Sequence, residues 1–353
     1  MSIIAQSGSV VNINVRIYVD RAIKKDKARA RRAQIRADKD KPIKLRWVEH
    51  KRQALEVGNK LIQAGLAKRG YNIKMCGSEI TFRECRDCGQ LVISRAQLCR
   101  DRLCPICNWR LALKRYSSMS QIMDVVRQTV EPSAMIALMT YTVRNCAPDR
   151  IKQTLSAMQL AWNRMLAQRY IRPYVIGWAR SIEVTYNKHT GELHPHYHVI
   201  MICDDEATLR TLQMDWLKQC RKEGLTVTMD AQHYQPISGD RTEGDSLAKS
   251  ILETYKYMVK SSDVMNMPLG VLRNFAEGVA GKRLISFGGV IKRIAAELQA
   301  DKLDSAEAAE QEITICTRCH STELDTVVAQ WSMRGNHYLA ISGIDLRTEV
   351  WGA

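Results

Sequence analysis

Residues 194–198 read His-Pro-His-Tyr-His. The histidines alternate, and alternate side chains of a strand point to one face. The apolar run Val199-Ile200-Met201-Ile202 follows, so the segment reads as a strand leaving a turn. His196 and His198 are then placed to grip one metal ion, with His194 as a third imidazole two residues upstream. The chain has 8 histidines among 353 residues, so three at alternate positions form a pattern rather than background.

A carboxylate completes the set. Strands over 174–186 and 194–203 flank the polar turn Asn187-Lys188-His189-Thr190-Gly191-Glu192. With the turn centred between Thr190 and Gly191, Glu183 falls opposite His198 and Thr185 opposite His196, and opposed residues share a sheet face. A two-residue slip would pair Glu183 with His196 and keep the face, whereas a one-residue slip would lose it. His194 is the rival third ligand, kinked towards the turn by Pro195. Two imidazoles and a carboxylate with open positions suit Mn²⁺ or Mg²⁺ in a phosphate-processing site, and zinc is chemically possible. The protease motif His-Glu-x-x-His is absent. So is the zinc-deaminase pair, because Leu103 rather than proline precedes Cys104.

Downstream, residues 249–260 read Lys-Ser-Ile-Leu-Glu-Thr-Tyr-Lys-Tyr-Met-Val-Lys. On a helix Glu253 and Tyr257 share a face and Lys260 lies one turn further on the same side, while Tyr255 is rotated about 200° from Tyr257. A tyrosinate can attack phosphorus to give a covalent phosphotyrosine. A lysine can hold the phosphate oxygens. A neighbouring carboxylate can act as general base for water in a second step.

Six of the 11 cysteines fall in Cys-x-x-Cys pairs. Cys85-x-x-Cys88-Gly89 and Cys104-Pro-Ile-Cys107 are zinc-knuckle halves separated by 15 residues, and four thiolates from two such pairs make a closed structural Zn²⁺ site. Cys99 and Cys76 compete for membership, so two sites and one site with spare thiols are both open. Cys316-x-x-Cys319-His320 matches a c-type haem attachment only superficially. A second zinc with His320 or His337, or completion of the first site, fits the composition better. Paired cysteines without an export signal point to reduced thiols in a cytoplasm.

The elements that must position these residues follow from periodicity. Strands are expected over 1–20, 135–143 and 226–229 besides the two already placed. Helices are expected over 151–170, 205–222 and 245–262, each with apolar residues at three and four. Helices alternating around a hairpin predict an α+β fold with an antiparallel sheet rather than a doubly wound parallel one. The net charge is +16, and residues 21–52 hold 14 Lys/Arg against 4 Asp/Glu, a net of +10. Such an arm, with Arg29, Arg31, Arg32 and Arg36 at its centre, fits nucleic-acid binding. No apolar stretch approaches the ~20 residues of a membrane span, and the N-terminus lacks a signal-peptide pattern.

The expected organisation has five parts. Residues 1–75 are a basic, mostly helical region and 76–115 a Cys-rich zinc-binding module. Residues 130–290 carry the candidate chemistry, 291–312 an Ala/Glu-rich helical linker, and 313–353 a small Cys-containing segment.

Three motifs in this order resemble a known family. Leu138-Met139-Thr140-Tyr141-Thr142-Val143-Arg144-Asn145 looks like its first strand motif. His194-Pro-His196-Tyr197-His198-Val199 looks like its His-hydrophobe-His (HUH) motif. Glu253-x-x-Lys256-Tyr257-x-x-Lys260 looks like its catalytic helix. The segment Cys99-x-x-Arg102-x-Cys104-Pro105-x-Cys107-x-Trp109-Arg110 extends the likeness, which covers roughly residues 76–290. The chain is identified as resembling the plasmid rolling-circle replication initiators of the HUH endonuclease superfamily, in the subgroup with one tyrosine and one glutamate. Relaxases of that superfamily place the tyrosine before the HUH motif, whereas here it follows.

The resemblance implies an HUH-type antiparallel sheet flanked by helices and a metal-dependent nickase-ligase in the bacterial cytoplasm. Tyr257 would attack a phosphodiester at a plasmid double-strand origin, presented single-stranded or as a hairpin. It would stay linked to the 5′ phosphate and free a 3′-OH. Glu253 would activate water at termination, and His196, His198 and Glu183 would hold the ion. A host helicase and the replication machinery are the implied partners, with a dimer possible. Two other readings stay open. A rolling-circle transposase of the same superfamily usually shows tyrosines four apart, unlike Tyr255 and Tyr257. A non-catalytic, zinc-stabilised DNA-binding regulator would leave His196, His198, Glu253 and Tyr257 unexplained.

Overall fold

In the computed structural model, strand β5 (Glu192–Cys203) is buried almost throughout and lies at the centre of a five-stranded sheet. The residues described by the structure are 43–237, 247, 250, 251, 254, 259–298 and 313–340. The expected strand over 1–20, Arg29, Arg31, Arg32 and Arg36, Glu253 and Tyr257, and linker residues 299–312 lie outside them. The described residues form two compact units, divided after Leu111. One comprises described residues 112–298, the other 43–111 together with 313–340.

In the first unit the sheet order is β6-β3-β5-β4-β7, with β3 Met135–Thr142, β4 Val175–Asn187, β6 His233–Pro236 and β7 Ile285–Gly288. Every pairing is antiparallel, as expected. Alternation divides the side chains of β5. Tyr197, Val199 and Met201 share a face with Met139 and Tyr141 of β3. Two helices cover this face: one over Ile151–Leu166 supplies Trp162, another over Glu206–Lys222 supplies Trp216. Trp162 meets Tyr141, Trp178 and Tyr197 at ring separations of 5.6, 5.2 and 6.0 Å, and Trp216 meets Tyr141 at 5.3 Å. Buried Arg180 stands over the Tyr197 ring at 4.4 Å and donates to Gln159 Oε1 at 2.5 Å. The opposite face of β5 carries His196 and His198.

The β4–β5 turn shifts the register by two residues from the expected one. Asn187 pairs with Glu192, leaving residues 188–191 as the loop, so Glu183 lies opposite His196 and Ser181 opposite His198. The Asn187 side chain causes this: its Oδ1 accepts the backbone N–H of His189 and of Thr190, and its carbonyl accepts Gly191 N–H. Gly191 sits at φ +72°, a conformation glycine adopts without cost. The shift is even, so the face is preserved.

Two expected elements are corrected. Residues 226–229 are not a strand. The edge strand is β6, and Gln232 just before it donates to Thr142 O and accepts Thr142 N–H, taking the place of a ladder at the end of β3. Residues 245–262 are not one continuous helix. Leu247, Ser250, Ile251 and Thr254 are helical, but Val259 and Lys260 are not. Lys260 has φ −70° and ψ 144° and caps a new short helix over Ser261–Asn266, its carbonyl accepting from Asp263 and Val264. Val259 and Lys260 therefore lie outside the helix expected over 245–262.

In the second unit two helices, α1 (Ile43–Gln63) and α2 (Ala67–Met75), pack at Gly58 and Gly70. A Cβ on Gly70 would lie 2.5 Å from Gly58 O, so the backbones touch. Trp47 and Lys51 of α1 are fully buried; the end of the basic stretch 21–52 is thus part of a core rather than a solvated arm. A four-stranded antiparallel sheet completes the unit, in the order β2-β1-β8-β9. β1 is Glu79–Cys85, β2 Leu91–Ala96, β8 Leu324–Ser332 and β9 His337–Ala340. The C-terminal segment, expected to stand apart, pairs along the whole of β1. Buried Tyr338 of β9 donates to Gly77 O at 2.6 Å.

Candidate functional site

The antiparallel ladder fixes what faces what. On the other face of β5, His198 lies between Thr140 of β3 and Ser181 of β4, and His196 between Thr142 and Glu183. The two Nε2 atoms are 3.1 Å apart, and Glu183 Oε2 lies 3.0 Å from His198 Nε2 and 3.4 Å from His196 Nε2. Ligands at adjacent corners of an octahedron of about 2.1 Å bonds stand about 3 Å apart. The three residues are only 7–9% exposed, and a buried carboxylate against two imidazoles requires compensating charge or hydrogen bonds. This group could hold a metal ion. Burial alone would raise the Glu183 carboxyl, but hydrogen bonds and charge from His196 and His198 outweigh it and hold it at about 2.

His194 is directed elsewhere. Its Nδ1 lies 2.8 Å from Asn145 Oδ1 and its Nε2 3.0 Å from Thr142 Oγ1, so both ring nitrogens are occupied. Burial lowers its pKa first, and His196 adds to that. The structure thus brings Glu183, and not His194, to the two Nε2 atoms. Beside them opens a polar cleft of about 620 Å³, lined in part by Asn145, Asn187, Lys188, His194, Asp263 and Asn266. Asp263 escaped the sequence reading. Burial raises its carboxyl, with the Lys260 charge and the Tyr186 backbone N–H opposing. Its only sequence signal is the Ser-Ser-Asp start of the short helix, which a continuous 245–262 helix hid.

The thiols of the second unit form two groups that could each hold a metal ion: Cys76 with Cys99, Cys104 and Cys107, and Cys85 with Cys88, Cys316 and Cys319. The expected site joining Cys85 and Cys88 to Cys104 and Cys107 is not formed. Those pairs belong to different groups, and neither His320 nor His337 belongs to one among the described residues. In the first group Cys107 Sγ lies 3.5 Å from Cys76 Sγ and 3.7 Å from Cys99 Sγ, and accepts the Arg100 N–H at 3.2 Å. Arg100 supplies it from a left-handed backbone, φ 59°. Burial pushes the Cys104 thiol well up, whereas Cys104, Cys76 and Cys99 hold Cys107 down. Thiols this close cannot all ionise without a cation. Buried Lys51 stands beside them, its Nζ donating to Cys76 O, Lys74 O and Ser78 Oγ at 2.6–2.8 Å.

An antiparallel sheet with a His-x-His strand, joined in one chain to a thiol-rich module, is the arrangement the resemblance to plasmid rolling-circle initiators implied. Residues 90–339, which take in every strand of the five-stranded sheet, match the model of the family described as Replication protein (Rep_1), and the chain belongs to that family. It is similar to a "Protein rep" of Lactiplantibacillus plantarum, 29% identical over 282 residues, covering 77% of this chain and 88% of that protein. A "Protein rep" of Lentilactobacillus hilgardii is 29% identical, covering 73% and 84%. One of Streptococcus pneumoniae is 28% identical, covering 71% and 81%. No solved structure matches the chain. No helix among the described residues is long and apolar enough to cross a membrane.

Proposed function

We propose that this replication protein starts rolling-circle replication of a plasmid by nicking one strand at the origin and later rejoining it. The observation that carries the reading is the convergence of His196 Nε2, His198 Nε2 and Glu183 Oε2 within 3.0–3.4 Å of one another on two adjacent strands. The donor set of two imidazole nitrogens and a carboxylate oxygen fits Mn²⁺ or Mg²⁺. When bound, such an ion polarises a phosphoryl oxygen.

The chain's own residues do the rest. Tyr257 Oη attacks the scissile phosphorus. The P–O3′ bond breaks, a 3′-OH leaves to prime synthesis, and the 5′ phosphate stays on the tyrosine. Lys260 neutralises phosphate charge. At termination Glu253 takes a proton from a water that cleaves the regenerated nick site, leaving a 5′ phosphate and a new 3′-OH, and that 3′-OH attacks the phosphotyrosine, closing the strand and releasing Tyr257. The amides and Lys188 of the neighbouring cleft supply donors for the backbone of a single strand. Residues Arg29, Arg31, Arg32 and Arg36 add sequence-independent affinity. The Cys76, Cys99, Cys104 and Cys107 group takes a structural Zn²⁺. A host helicase would extend the opened origin.

The test is denaturing-gel mobility after incubation with a labelled single-stranded origin oligonucleotide and Mn²⁺. Wild type should give a shifted, protein-linked band and Tyr257→Phe none, with native-gel binding retained by both. A shifted band from the variant would move the nucleophile elsewhere. No band from wild type, with binding intact on its cognate origin, would favour the non-catalytic regulator.

A further inference from the structure

The second thiol group joins residues 228 and 234 positions apart in the chain. Cys85 Sγ lies 3.4 Å from Cys319 Sγ, and Cys88 Sγ lies 3.5 Å from both Cys316 and Cys319. A disulfide would need about 2.05 Å. A tetrahedron of sulfurs about 2.3 Å from one ion has edges of about 3.8 Å.

The backbone repeats itself on the two sides. Gly89 N–H donates to Cys85 O at 2.8 Å, and Cys85 N–H to Gln90 O at 3.0 Å. His320 N–H donates to Cys316 O at 3.0 Å, and Cys316 N–H to Ser321 O at 2.7 Å. In both, the residue after the second cysteine is left-handed: Gly89 at φ 64° and His320 at φ 62°. A non-glycine residue is held there only when its surroundings require it. These are two copies of one knuckle, each closing a Cys-x-x-Cys turn so that both sulfurs face the other turn. Arg318 N–H adds a donor to Cys316 Sγ at 3.4 Å. Flanking contacts hold the halves in place: Arg86 N–H donates to Glu323 O at 3.0 Å, and its guanidinium pairs with Asp325.

We propose that Cys85, Cys88, Cys316 and Cys319 form a second tetrathiolate zinc site, separate from the Cys76 group, that staples the β8–β9 hairpin to β1. Its chemistry is structural: four thiolates leave no open position for substrate. It is also the more accessible of the two sites through one residue: each group has one half-buried cysteine, Cys88 or Cys99, but Cys319 is exposed where the other members of both groups are buried. A chelator therefore empties it first, and the C-terminal hairpin loosens while the other zinc stays.

The test uses the full chain. Zinc per chain, measured by elemental analysis, should fall by one in Cys316→Ser/Cys319→Ser. It should fall by the same one, not two, when Cys85→Ser/Cys88→Ser is added. Unchanged zinc in the first variant, or a further loss in the second, overturns the proposal. Should those variants misfold, metal-free wild type titrated with Co²⁺ decides the matter. Thiolate-to-cobalt absorption should saturate at two equivalents, and saturation at one overturns it. A Cys85–Cys319 or Cys88–Cys316 disulfide in freshly isolated protein would also overturn it.

Discussion

Glu183 stands directly across the ladder from His196, yet its carboxylate comes closer to His198, 3.0 Å against 3.4 Å. The side chain leans along the strand and bridges two successive positions of β5. Loss of the carboxylate should therefore weaken both imidazoles as ligands. We expect Glu183→Gln to lower metal-stimulated cleavage by on the order of 100-fold, with binding of an origin oligonucleotide unchanged on a native gel. Cleavage at the wild-type rate would remove Glu183 from the ligand set.

His194 should behave differently. It orients Thr142 and Asn145 rather than meeting the two Nε2 atoms, so His194→Ala should raise the Mn²⁺ concentration giving half-maximal cleavage by about 10–100-fold. High Mn²⁺ should restore it, whereas no Mn²⁺ concentration should restore His196→Ala/His198→Ala. A His194 variant beyond rescue would make it a ligand.

Glu253→Ala should still nick but fail to terminate. The readout is the ratio of monomeric to multimeric product strands in a plasmid replication assay, which should shift towards multimers. An unchanged ratio would argue against Glu253 as the base.

The folded part of the basic stretch limits where it can be cut. Trp47 and Lys51 are core residues, so removing 21–52 would unfold the unit, whereas removing 21–42 tests the arm. The shortened protein should show a shallower dependence of log K on log salt, by about 0.7–0.9 for each phosphate that the arm no longer neutralises. An unchanged slope would place the phosphate-binding cations elsewhere.

Gly70 sets helix propensity against packing. Alanine would gain about 1 kcal/mol of propensity, but its methyl would meet Gly58 O at 2.5 Å and Ile62 Cγ1 at 2.6 Å. Overpacking of this kind costs about 1–3 kcal/mol, and here backbone must yield. Gly70→Ala should lower the urea midpoint, and a raised midpoint would show that the helices separate freely.

Much of the histidine-bearing sheet was legible because its signals are local. Alternation placed His196 and His198 on one face, and the polar turn limited the register to even or odd. The actual register depended on Asn187 capping the loop, which an assumed turn centre missed. The break at Val259 and Lys260 was hidden because the residues on both sides keep helical spacing. The thiol grouping was legible only in part: Cys99 and Cys76 stood out as competitors for a site, but which pairs share one stayed open. Each Cys-x-x-Cys declares itself, but which pairs meet depends on β8 returning to β1 across more than 200 residues of chain. Gln232 and Asp263 gave no periodic pattern, since what each does depends on partners brought to it by folding, Thr142 for Gln232 and Tyr186 for Asp263.

The pairing of β1 with β8 also sets the timetable of synthesis. A ribosome adds about 5–20 residues per second, so the 228 positions from Cys88 to Cys316 take on the order of 10–50 seconds. Until β8 emerges, β1 has β2 on one side and an open edge on the other. Such an edge invites pairing with other chains. A message cut short before residue 313 should therefore yield a product that aggregates through the open edge of β1, which β8 closes only once it has been made.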